Sequence, residues 1–105
     1  MAKGQPSINA IIRRYLKALE EDNIHVQQAV LFGSRAMGGG DEWSDIDIAI
    51  VSESFEGDRY GDRARIRKTT LSVSSDLSPI PFRPEDFGPD DPFVREILST
   101  GIRVI

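Results

Sequence analysis

The chain has 105 residues, with 17 acidic side chains against 13 Lys or Arg, a formal net charge of −4 and 39% apolar residues. That length supports one modest core, so a single domain over residues 1–105 is expected, with any second substrate pocket shared or borrowed. No apolar run approaches the ~20 residues of a membrane span, and the opening MAKGQPS lacks an apolar signal core, so a cytoplasmic protein without membrane contact is expected. Cysteine is absent, which excludes disulfides, thiolate catalysis and Cys-ligated metals, and the single histidine, His25, excludes any site that needs two.

The acidic average hides one reversal. Between Arg59 and Lys68, five basic side chains (Arg59, Arg63, Arg65, Arg67 and Lys68) face one acid, Asp62. A cationic strip on an acidic body steers an anionic ligand or partner to one face; a merely solvated helix face is the plainer reading. Binding a long nucleic acid calls for more basic and aromatic surface than this, and a protein partner suits the strip better.

In chain order, Ile8, Ile11, Ile12, Tyr15, Leu16 and Leu19 form one stripe of a 3.6-residue helix, with Ser7 as N-cap and an end near Glu21–Asn23, where Asn takes a left-handed cap. Tyr15 lies on this stripe and is read as core. His25, with no second His or hydroxyl constellation, is read as a surface or capping residue. Ala29–Phe32 is a continuous apolar run, the mark of a strand covered on both faces, and Gly33-Ser34 closes it. The stretch Arg35–Trp43, with glycines at 38 to 40, allows one helical turn and a loop. From Ser44 to Val51 the alternation of a strand returns, with Ile46, Ile48 and Ile50 on one side and Asp45, Asp47, Ala49 and Val51 on the other. A loop over Ser52–Asp58 leads into a cationic helix. A third strand is expected around Leu71–Leu77, with Asp76 on the face opposite Leu77. Arg83–Phe87 reads as a single turn, Pro92–Ser99 as a short helix stopped by Gly101, and Ile102–Ile105 as an edge strand.

Asp45 and Asp47, at i and i+2 on a strand, project from one face a few ångströms apart, and their like charges repel unless a cation sits between them. Hard divalent ions such as Mg²⁺ suit this half-site, binding through one or two carboxylates plus substrate phosphates. An isolated D-x-D on a solvated strand face is the ordinary alternative. Upstream, a strand ending in Gly33-Ser34 frees backbone N–H groups for a phosphate, permits close backbone approach at Gly33, and offers the Ser34 hydroxyl as a donor.

Gly33-Ser34, ten intervening residues, then Asp45-Ile46-Asp47 resembles the G-S-x10-D-x-D signature of nucleotidyltransferases in the DNA polymerase β superfamily. The fuller run, Gly33-Ser34-Arg35-Ala36 with Gly38 and Ser44-Asp45-Ile46-Asp47-Ile48, is similar to the minimal nucleotidyltransferase group in particular. The four fixed positions coincide by chance in roughly one or a few chains of this length per thousand. The resemblance implies an α+β fold, a mixed sheet with helices packed on one face, across nearly the whole chain. It implies that Asp45 and Asp47 bind two Mg²⁺ ions, and that Asp76 is the third carboxylate, with Asp86 as its rival. Gly33 and Ser34 would then hold the nucleotide. Arg35 would pair with its β/γ-phosphates or simply cap the turn, and Trp43 would stack on a base or pack on the sheet.

The same resemblance implies transfer of AMP from ATP to a hydroxyl. Single-domain members of this kind are similar to antitoxins paired with a HEPN ribonuclease toxin, which implies a tyrosine of that toxin as acceptor, within a homo- or hetero-oligomer. The alternatives are a transferase acting on a small-molecule or RNA hydroxyl, and an inactive module that only occludes its partner.

Overall fold

The structure, a computed structural model, describes residues 7–33 and 45–105. Helix α1 spans Ile8–Glu21, and its start and end are written in side-chain chemistry. The Ser7 hydroxyl accepts from the Ala10 N–H at 3.1 Å. At the other end Asn23 has φ 65°, the Ile24 N–H donates to the Leu19 carbonyl at 2.9 Å and the Asn23 N–H to Glu20 at 3.1 Å. This pair of bonds satisfies two terminal carbonyls, and buried Ile24 and Leu19 share one cluster.

The remaining elements are β1 (Gln28–Phe32), β2 (Ile46–Val51), α2 (Arg59–Val73), β3 (Leu77–Phe82), a single 3₁₀ turn (Pro84–Asp86), α3 (Pro92–Thr100) and β4 (Ile102–Arg103). The strands form one sheet in the order β3-β2-β1-β4. β1 runs antiparallel to both β2 and β4, whereas β2 and β3 are parallel, so the sheet is mixed. Strand parity divides the core as the alternation in the sequence requires. Ala29, Leu31, Ile46, Ile48 and Ile50 pack with Ile12, Tyr15 and Leu19 of α1 and Ile66 of α2, while Val30, Ala49 and Val51 pack with Phe82, Phe87 and with Val94 and Ile97 of α3. The expected α+β mixed sheet is borne out. The two long helices back one face of it, and the short α3 is added to the other.

One element is displaced from its expected place. Leu71–Val73, expected to open the third strand, instead forms the last turn of α2, and β3 begins at Leu77. The helix continues through the β-branched pair Thr69-Thr70 because the Thr70 hydroxyl donates back to the Ile66 carbonyl at 2.8 Å and meets the Tyr15 hydroxyl at 2.6 Å. Pro79 and Pro81 disguise the true strand. The Ile46 N–H donates to the Asp76 carbonyl at 2.8 Å and the Ser52 N–H to Phe82 at 3.0 Å, so the even-numbered positions of β3 face β2. The prolines take the outward positions of an edge strand, where a missing N–H removes no ladder bond.

Candidate active site

The antiparallel register of β1 and β2 pairs Phe32 with Asp47, which brings Gly33 to the side of the Asp47 carboxylate. Gly33 has φ 79°, a left-handed conformation that glycine adopts without strain, and a Cβ built there would overlap Asp47 Oδ2. Asp47 lies on the α3 face of β2, one step beyond buried Ala49, and is half-buried; Asp45 precedes the strand and is exposed. Phe32 meets Phe93 of α3 edge to face, with ring centroids 6.0 Å apart, so apolar surface borders the half-site.

Electrostatics match that geometry. Burial raises the Asp47 carboxyl above the usual carboxylate range, and the negative charge of Asp45 adds to the rise. Among the described residues no Lys, Arg or His forms an ion pair with either aspartate. Two neighbouring carboxylates with no counter-charge among the described residues, one of them partly desolvated, are a donor set that fits a hard divalent cation.

Asp76 lies at the same end of the sheet. It precedes β3 instead of sitting on it, is exposed, and its carbonyl oxygen receives the N–H of Ile46, the residue between Asp45 and Asp47. Among the described residues no three acidic or His side chains are gathered closely enough to hold a metal ion, so Asp76 is near the pair in register without being assembled with it. Its rival, Asp86, is elsewhere. It lies beyond the opposite end of β3, where the Arg83 guanidinium grips its carboxylate at 2.7 and 3.2 Å and holds its pKa below the usual range. Ser34, Arg35 and Trp43 lie outside the described residues. His25 is exposed and meets Glu20 at 3.1 Å, and Tyr15 is fully buried, both as expected.

A cavity of about 500 Å³ lined by Gly57, Arg59, Phe82, Arg83 and Asp86 is at that far end, away from the aspartates. Sequence reasoning missed the residue that organises it. Asp62, buried, accepts from the Glu56 and Gly57 N–H groups, each at 2.9 Å, and so ties the loop before α2 to the helix. Its being the only acid in a basic segment was the available signal.

A family model described as a nucleotidyltransferase domain matches residues 12–104. Among solved structures, a chain of a mutant MntA–HpeT toxin–antitoxin complex superposes with a TM-score of 0.60 at 23% identity, over 96% of this chain and 73% of that one. A candidate nucleotidyltransferase from Sulfolobus solfataricus aligns over 81% of this chain and 80% of that one, at 25% identity and a TM-score of 0.48. No curated protein matches the chain. Among the described residues no helix is long and apolar enough to cross a membrane.

Proposed function

Because the chain belongs to the nucleotidyltransferase domain family, we propose that it is a magnesium-dependent enzyme that moves AMP from ATP to a tyrosine hydroxyl of a HEPN-type toxin, as the antitoxin of a toxin–antitoxin pair. The observation that carries the site is the β1–β2 register, which sets Gly33 against Asp47 with Asp45 two residues away. The fold shared with a chain of the MntA–HpeT complex supports the toxin–antitoxin setting.

Asp45 and Asp47, joined by Asp76, would hold two Mg²⁺ ions, which when bound supply acidification of the acceptor hydroxyl and neutralisation of the triphosphate. Gly33, with Ser34 and Arg35 after it, receives the β- and γ-phosphates through backbone approach, a hydroxyl donor and a guanidinium. The acceptor oxygen attacks the α-phosphorus in line, the bond from that phosphorus to the bridging oxygen of the β-phosphate breaks, pyrophosphate leaves, and the acceptor proton passes to Asp76 or to water. The protein's own work is positioning and charge placement.

The test is incubation of a purified HEPN-domain toxin with this protein, Mg²⁺ and ATP, followed by intact mass and peptide mapping. One AMP added to a toxin tyrosine is expected, and none with Asp45→Asn/Asp47→Asn. An unmodified toxin with the wild-type protein, or equal modification by the double variant, would sink the proposal.

A further inference from the structure

Helix α2 buries only a narrow stripe, Asp62, Ile66 and Thr70. Beside that stripe a groove of about 450 Å³ runs between α2 and the edge strand β3, lined by Tyr60, Arg63, Arg67, Leu71, Leu77 and Pro79 among others. Tyr60 is 91% exposed and Leu71 54% exposed, more than any other large apolar side chain among the described residues. Arg63 and Arg67 are one helical turn apart, and among the described residues neither forms an ion pair. Tyrosine and arginine around an apolar floor are the side chains that dominate protein interfaces.

We propose that this groove is a docking surface for a partner protein, and that its occupant is an acidic amphipathic helix. Charge selects the partner: outside the strip from Arg59 to Lys68 the chain is net acidic, so a carboxylate-bearing segment is drawn to the strip over the rest of the body. The β3 edge selects the conformation. Pro79 and Pro81 occupy its outward positions, so the edge lacks two of the N–H donors that an added strand needs, and β-augmentation is denied. A helix remains, and the spacing of Arg63 and Arg67 sets its pattern, with carboxylates at i and i+4 flanking an apolar anchor that seats against Leu71, Leu77 and Pro79.

Position gives the groove its use. Leu77, at one end of it, pairs with Ile46, the residue between Asp45 and Asp47. The groove is on the α2 face of the sheet and Asp47 on the opposite, α3 face, so a partner helix lying in the groove reaches the aspartate end around the β3 edge. As an acceptor-docking site the groove rests on the proposed transfer reaction; as a binding surface it does not.

The test uses the full chain, ¹⁵N-labelled, and two synthetic amphipathic helical peptides of about five turns. One carries Glu at i and i+4 beside Leu anchors, and the other has Lys in place of Glu. The acidic peptide is expected to shift the resonances of Tyr60, Ala64, Leu71 and Leu77 saturably, with the Lys peptide inert. Arg63→Glu/Arg67→Glu, two exposed positions at which circular dichroism is expected to show an unchanged fold, should weaken binding about tenfold or more. No saturable shift at about millimolar acidic peptide overturns the proposal. Equal binding of both peptides, a homodimer that Leu71→Glu dissociates, or tighter binding of an RNA oligonucleotide at these resonances also overturns it. The transfer assay separates the two readings. Peptide binding without AMP transfer removes the enzyme reading and leaves the groove, whereas undiminished transfer to the toxin by Arg63→Glu/Arg67→Glu removes the groove as the acceptor's dock and leaves the enzyme.

Discussion

Gly33 leaves open the space that the Asp47 carboxylate fills. Two independent demands meet at this glycine, a φ of 79° and the absence of a Cβ, which would overlap Asp47 Oδ2. Gly33→Ala is therefore expected to destabilise the fold by about 1–3 kcal/mol through backbone strain and to displace Asp47. Thermal melts with and without Mg²⁺ check both effects, the second appearing as loss of stabilisation by the metal. Gly57→Ala is the control. Gly57 also has positive φ, 94°, but a Cβ there meets the flexible end of Arg83 at the far end of the sheet, so it is expected to lower stability and keep the response to Mg²⁺.

Most of the fold was legible because its signals are local. Ser7, the helical stripe up to Leu19, the left-handed Asn23 and the alternation of Ile46, Ile48 and Ile50 each act within a few residues, and each is found where the pattern put it. The misplaced third strand shows where local reading stops. Pro79 and Pro81 argue against a strand until the partner strand is known to lie on the other side, and that depends on sheet order. The continuation of α2 through Thr69-Thr70 depends on Tyr15, which is 55 residues away. At the site, the likeness of Asp45 and Asp47 to a metal pair was legible from their spacing. The place of Asp76 was not, because strand parity assumed a strand that starts only at Leu77.

The same pair predicts an inverse relation between stability and function. Asp47 is held against burial and the charge of Asp45, so in the absence of divalent ions its ionised form works against folding. Asp47→Asn is expected to melt above the wild type in buffer with a chelator. Added Mg²⁺ is expected to raise the wild-type melting temperature and to leave that of the variant nearly unchanged. A variant that melts below the wild type with chelator present would show that Asp47 makes a stabilising contact instead.

Tyr15 and Thr70 join α1 to α2 through a buried 2.6 Å hydrogen bond, and the two residues are not equivalent. The Thr70 hydroxyl hydrogen is directed to the Ile66 carbonyl, so the Tyr15 O–H donates and Thr70 accepts. Burial pushes the Tyr15 phenol up to about 12, and the hydroxyl stays protonated throughout the ordinary range. Tyr15→Phe removes a donor and leaves Thr70 bonded to the helix, at a cost of about 0.5–1.5 kcal/mol. Thr70→Val strands the buried phenol without an acceptor and is expected to cost more, about 1–3 kcal/mol. Urea unfolding of the two variants orders them, and a Tyr15→Phe loss larger than that of Thr70→Val would contradict the assigned direction of the bond.

Glu20 makes stability depend on pH at the junction of α1 and β1. Its carboxylate accepts from the Val26 N–H at 2.9 Å and meets His25 Nδ1 at 3.1 Å, and these two contacts, the backbone bond first, hold its pKa below the usual glutamate value. A carboxyl whose folded pKa is lowered binds fewer protons folded than unfolded. Its contribution is therefore complete above the unfolded value of about 4.3 and is lost as the pH falls through the lower folded value. Glu20→Gln keeps an oxygen for Val26 but no charge, so it is expected to be less stable than wild type at neutral pH. The gap should narrow below about pH 4.3 and close where both forms of the wild type are protonated. Because the carboxylate is exposed, added salt should shrink the neutral-pH gap as well. Urea titrations at several pH values check this, and a gap that persists unchanged into strong acid would assign the effect of Glu20 to packing instead of charge.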